Sequence, residues 1–257
     1  VLSQLKGVLP KTESKMFGDE FKWLGEVTGP CRDLDVNLLE MDGFRQDLGV
    51  DDGTLEPLHR LLRRSRAAEH RRVKRALGSR RFRDLITEWS GFLEDPSAAE
   101  TRAPEARRPI GSLANERISK AYRRMIKRGS KLGSDPQPEA LHRLRIDAKK
   151  LRYLLEFFAS LYQKKELSIL VKELKGLQDV LGGFNDMEVQ QRRLAAFADQ
   201  LMKDGDARSE TVFAMGRLAD AMRERQEKHR LDFAARFAIF SSKESLGLYR
   251  DLLGEVD

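Results

Sequence analysis

The spacing of apolar residues constrains this 257-residue chain more than any other feature, and that spacing is helical nearly throughout. Leu167, Leu170, Val171, Leu174, Leu177 and Leu181 fall at steps of three and four, which places them on one face of a helix. Leu141, Leu144, Ala148, Leu151, Leu155 and Phe158 do the same. No run of alternating β-branched residues and no Asn-Gly hairpin signal stands against this pattern. The expectation is an all-α bundle. Breaks are expected where Gly, Pro, Asp and Ser cluster: at Gly29-Pro30, from Gly49 to Pro57, from Asp95 to Pro109 and from Gly129 to Pro138. The stretch DPSAAETRAPEARRP at 95–109 has the most linker-like composition.

A shift of 153 residues lays 1–48 on 154–201 without a gap. Identities include Lys11/Lys164, Glu20/Glu173, Lys22/Lys175, Leu24/Leu177, Gly29/Gly182, Asp33/Asp186 and Phe44/Phe197. Two amphipathic helices share a heptad by chance, but matched Gly, Asp and Lys positions point to duplication. The organisation expected is repeat 1 over about 1–94, a linker over about 95–109 and repeat 2 over about 110–257. In this register the helix at His142–Arg152 has no counterpart within the chain, so a second basic helix is expected upstream of Val1.

Charge narrows the function. The net charge is +7, from 48 Lys and Arg against 41 Asp and Glu, but it is unevenly spread. Residues 1–56 hold 6 basic and 12 acidic side chains, 57–87 hold 11 and 2, and 107–152 hold 14 and 4. Within the basic stretches, helical phase orders the cations. His142, Arg145, Lys149 and Arg152 form one stripe, and Arg117, Lys120, Arg124 and Lys127 form another at the same three-four-three spacing. Arg60, Arg64, Arg71 and Arg75 form a third, and Lys22 and Lys175 occupy one position in the two repeats. Each stripe runs beside an apolar face, as in Ile118, Ala121, Tyr122 and Met125, or Leu58, Leu61 and Leu62. Cations so near a core tend to line a groove. Where such stripes converge, their fields add and draw in an extended polyanion. Solvated faces of good helix formers are the plainer account of any single stripe.

Other chemistries find little support. One cysteine, Cys31, excludes an intramolecular disulfide or a multi-cysteine metal site and reads as packing. His59, His70, His142 and His229 lack metal-binding spacing, and no Walker loop or nucleophile elbow occurs. No cofactor is therefore expected. No stretch reaches the roughly 20 apolar residues of a membrane helix. Asp33, Asn185 and Asp186 follow glycine-containing stretches and read as helix N-caps, with Asp35 and Glu188 favouring the helix dipole. A catalytic carboxylate pair or metal coordination bridging to phosphate are the alternative roles for these acids. His142 is read equally as a phosphate contact or as a packed residue fixing a helix junction through one hydrogen bond. Trp23 and Trp89 sit among apolar neighbours and read as core, which counts against base stacking on single-stranded nucleic acid.

The string LHRLRIDAKKLRYLLEFF at 141–158 resembles the signature helix of the CHAD family, the conserved histidine α-helical domain. LKGLQDVLGGFNDMEV at 174–189 and GPCRDLDV at 29–36 resemble that family's repeat-end motifs. The resemblance implies two tandem four-helix units around a central basic channel. It also implies inorganic polyphosphate binding and association with polyphosphate granules. With the phased stripes the expected role is non-catalytic binding, and the single cysteine fits a reducing, cytoplasmic compartment. The family's basic helix residues correspond here to His142, Arg145, Lys149 and Arg152. Helical phase and the repeat extend the expected polyphosphate contacts to Arg117, Lys120, Arg124, Lys127, Arg60, Arg64, Lys22 and Lys175. Some family members carry a triphosphate-tunnel enzyme domain, so such a domain, upstream or separate, is an expected partner. The rival readings are a nucleic-acid-binding helical protein and an accessory domain of a polyphosphate- or triphosphate-processing enzyme.

Overall fold

The computed structural model describes residues 2–5, 7–47, 49, 51–95, 103–133 and 136–254. Residues 96–102 of the 95–109 linker expectation therefore lie outside the described residues. Among them are eight α-helices and no β-strand, so the all-α expectation holds. The helices are α1 (Lys11–Asp47), α2 (Asp52–Leu77), α3 (Arg80–Glu94) and α4 (Ile110–Gly129), followed by α5 (Pro138–Phe157), α6 (Lys164–Lys203), α7 (Ser209–Phe240) and α8 (Lys243–Leu253). They gather in two compact units. Leu2–Arg107 with Gln190–Met222 makes the N-terminal unit, and Arg108–Val189 with Arg223–Asp257 makes the C-terminal unit.

In the N-terminal unit, α1 buries Phe17, Val27, Cys31, Leu34 and Met41 along one side. Phe17 and Phe21 meet Trp89 of α3 with ring centroids 4.8 and 5.3 Å apart, both edge-on. Asp51 and Ser79 cap α2 and α3, accepting from the backbone N–H groups of Gly53 and Phe82. Leu55, Leu58, Leu61 and Leu62 bury the first half of α2. Beyond Leu62 no described residue of α2 is buried, and that half carries Arg63, Arg64, Arg66, Arg71, Arg72, Lys74 and Arg75.

In the C-terminal unit, the apolar stripe of α5 is inside as its spacing predicts: Leu141, Leu144, Ala148, Leu151 and Leu155 are all buried. Leu167, Leu170, Leu174, Leu177 and Leu181 of α6 are buried too, while Val171 is half-buried at the edge. Pro138 opens α5, where its missing N–H costs nothing. Tyr122 of α4 stacks on Tyr249 of α8 at 3.8 Å between centroids and meets Phe240 of α7 edge-on at 5.5 Å.

One expected break is not a break, and the glycine pair before Asn185 is not a turn. Gly29 and Pro30 lie inside α1, and Gly182 and Gly183 lie inside α6. A proline in a helix interior costs about 3 kcal/mol. The apolar face buried on both sides of Pro30 offsets that cost, so the helix runs on. Gly183 serves close packing instead of a turn: a Cβ there would lie 2.2 Å from His229 Nε2 on α7. The N-cap reading of Asp33, Asn185 and Asp186 is therefore corrected, because all three sit in mid-helix with no orphan N–H to accept from.

The aromatic core has a consequence for alkaline pH. Burial pushes the Tyr122 phenol up to about 12, with the negative charge of Glu173 adding to the shift. Burial also pushes Tyr162 up to about 12 and Tyr249 well above the usual range. The folded phenols keep their protons while the unfolded ones ionise near pH 10, so this contribution is whole below about pH 10 and is lost as pH rises to about 12. Denaturant midpoints measured from pH 9 to 12 should fall in that window, and Tyr122→Phe should lessen the fall. A fall of unchanged size in the variant would remove Tyr122 from this account.

Candidate functional site

The stripe His142, Arg145, Lys149 and Arg152 lies on α5 in the C-terminal unit. The buried leucines fix which side of α5 faces inward, and the stripe follows about 100° away at the margin of that side. Arg145, Lys149 and Arg152 are half-buried accordingly, and His142 is exposed. The His142 Nδ1 lies 2.6 Å from Asn185 Oδ1 on α6, so the histidine does join two helices through one hydrogen bond. One turn along, Arg145 Nη2 donates to Asp186 Oδ1 at 3.4 Å. Asn185 and Asp186 thus hold the first two members of the stripe. Lys149 makes no ion pair among the described residues. Arg152 lies 3.6 Å from Glu156 Oε1, and its guanidinium sits 5.3 Å over the Tyr153 ring.

The second stripe is on α4 in the same unit. Arg117 is half-buried with Nη1 4.0 Å from Glu116 Oε1, and Lys120 and Lys127 are exposed. Arg124 approaches Asp147 of α5 at 4.0 Å, and Arg128 donates to the same carboxylate. Asp147 lies about 170° around α5 from the stripe of that helix, by its place in the sequence. The α4 cations near it and the α5 stripe therefore address opposite sides of α5. The contacts bring His142 and Arg145 together at α6, and they bring Arg124 to a different face.

Lys175 is exposed on α6, three turns from Asp186 and on the same side of that helix by phase. In the N-terminal unit, Arg60 lies 3.9 Å from Glu56, and Lys22 lies 3.7 Å from Glu26. Arg64 lines a recess of about 380 Å³ with Arg71, floored by Leu61, Ala67 and Ala68. The two arginines lie two turns apart on one side of α2, with small residues between them that leave room for an anion.

Sequence reasoning missed the acids that hold the arginines. Asp33 accepts from Arg193, and Asp35 from Arg66, both within the N-terminal unit. For Asp147 the signal was present. It falls in the apolar phase of α5 between Leu144 and Leu151, it is only 4% exposed, and a carboxylate so buried requires a cationic partner.

The comparisons agree with this fold. The crystal structure of the CHAD domain from the plant Ricinus communis is similar with a TM-score of 0.63 and 24% identity, covering 100% of this chain and 77% of that one. PptA from Streptomyces chartreusis is similar with a TM-score of 0.67 and 18% identity, covering 92% of this chain and 83% of that one. No curated protein sequence matches. The sequence pattern of the CHAD domain matches residues 1–195, which contain the α5 stripe and the two motifs that resemble repeat ends, and so the chain belongs to the CHAD domain family.

Proposed function

We propose that this chain is a non-catalytic binding module for inorganic polyphosphate, which its α5 stripe engages as an extended polyanion. The observation that carries the reading is the stripe itself. Arg145, Lys149 and Arg152 repeat about every 5 Å along the axis, and Lys149 is uncommitted among the described residues. A linear chain of phosphates presents a charge to each cation in turn. Arginine answers with forked hydrogen bonds and lysine with a movable point charge. Arg64 and Arg71 of α2, with the other expected contacts Arg60, Arg117, Lys120, Arg124, Lys127, Lys22 and Lys175, supply further positive field.

The acids support binding over phosphoryl transfer. Asp33, Asp35, Asp147 and Asp186 each face an arginine, so none of them forms an open carboxylate pair. Phosphoryl transfer needs placed metal carboxylates or a base for the nucleophile. The packing of the two tryptophans speaks against their use as stacking platforms for single-stranded nucleic acid. The Arg81 guanidinium covers the Trp23 ring at 4.1 Å, and Trp89 stands inside the Phe17, Phe21 and Phe92 cluster. Competition among long-chain polyphosphate, duplex DNA and RNA at one salt concentration tests the reading. Polyphosphate should displace both nucleic acids, and preference for either nucleic acid would replace this function with nucleic-acid binding.

Asp186 sets the sign of a smaller effect. Its carboxylate neutralises part of Arg145. Asp186→Asn should raise polyphosphate affinity about two- to fivefold, the scale of one exposed charge pair. Lower affinity in a folded variant would show that Asp186 acts mainly by placing Arg145.

A further inference from the structure

The C-terminal unit holds a cleft that the α5 stripe does not use. Ser119, Tyr122 and Arg123 of α4 face Leu246, Tyr249, Arg250 and Leu253 of α8 across a space of about 190 Å³. On α4 these residues lie about 125° around the helix from the stripe Arg117, Lys120, Arg124 and Lys127. The closed end is tied by the Asn115 side chain, which donates to the Leu253 carbonyl at 2.7 Å and accepts from the Tyr162 hydroxyl at 2.8 Å.

Two observations mark the cleft as a site. Its walls are mostly apolar, built by Tyr122, Leu246, Tyr249 and Leu253. Arg123 and Arg250 both line the cleft and both are exposed at its rim, so the mouth is positive.

We propose that this cleft binds a small amphipathic anion, with an aromatic or short acyl body against Tyr122, Leu246 and Leu253 and one acidic group between Arg123 and Arg250. A mostly apolar lining with a few convergent polar groups suits a small organic ligand. The length of an extended polyphosphate does not suit it. The Tyr122 and Tyr249 phenols stay protonated at neutral pH, so they add no negative charge beside the two arginines.

The test uses 1-anilinonaphthalene-8-sulfonate, an aromatic sulfonate that brightens in apolar surroundings, with the folded full chain. One saturable site per chain is expected. Arg123→Ala with Arg250→Ala should weaken it about tenfold or more, as loss of charge-assisted hydrogen bonds would. Leu246→Trp, which fills the cleft from an exposed position, should abolish it. Both variants should keep the wild-type circular dichroism and bind polyphosphate nearly as the wild type does, with at most the slight long-range loss of two off-stripe charges, so this proposal and the polyphosphate reading stand or fall separately. Displacement by octanoate or by phenyl phosphate then assigns the acidic group as carboxylate or phosphate. No saturable site, or a site indifferent to both variants, would overturn the proposal. Equal affinity for the uncharged N-phenyl-1-naphthylamine would overturn it as well.

Discussion

Arg145→Ala combined with Lys149→Ala should lower affinity for long-chain polyphosphate by about tenfold or more and leave the bundle folded. The two residues lie one turn apart on α5 and are half-buried at the margin of its apolar face. Their removal takes away two adjacent phosphate contacts and no core atom. Arg145 gives up only a 3.4 Å pair with an exposed Asp186, a contact worth little to stability at a wet surface. The control removes the same charge elsewhere. Lys164→Ala with Lys165→Ala changes two exposed lysines at the start of α6, off the stripe. That pair should reduce binding only slightly, through the long-range field. Equal losses in both double variants would mean that the chain responds to net charge and that the stripe is not the site.

Leu174→Ala should destabilise the chain by ~2–5 kcal/mol, the range for a fully buried leucine whose cavity cannot collapse. Leu174 has no exposed surface, and its neighbours in phase, Leu170 and Leu177, are equally enclosed. Val171 stands on the same helix but at the edge of the apolar face, half-buried. Val171→Ala should therefore cost only about 1 kcal/mol. Denaturant unfolding of the two variants measures the difference directly. Equal losses would mean that α6 does not pack by the face its leucines define.

How far the fold was legible follows from what periodicity encodes. The steps of three and four in α5 and α6 specify a buried side, and Leu141 to Leu155 and Leu167 to Leu181 are buried as expected. Periodicity says nothing of where a helix ends. Glycine and proline ordinarily mark ends, and at 95–109 and 129–138 they accompany the ends of helices. At Gly29-Pro30 and Gly182-Gly183 the same residues lie within helices of 37 and 40 residues. Burial along both flanks outweighs a local preference of a few kcal/mol there, and at Gly183 the missing side chain makes room for His229.

The candidate site was legible in the same uneven way. Phase along one helix is local information, so the α5 stripe and its nearness to the core could be read from spacing alone. Contacts between helices are not local. Spacing alone could not show that Asn185 would meet His142, or that Asp186 would meet Arg145. Nor could it show that Arg124 and Arg128 of α4 would turn to Asp147 on the opposite side of α5. The repeat register did single out Asp33 and Asp186 as a matched pair. Each of them faces an arginine from another helix, Arg193 for Asp33 and Arg145 for Asp186.

On the proposed reading, cations in phase along α5 bind a linear chain of phosphates. Titration of the full chain with long-chain polyphosphate across a series of salt concentrations tests it most directly. Three stripe cations, Arg145, Lys149 and Arg152, should release counterions on binding, so the logarithm of affinity should fall with the logarithm of salt at a slope of about −2 or steeper. Binding should persist at physiological salt. No binding there, or a slope near zero, would contradict the account.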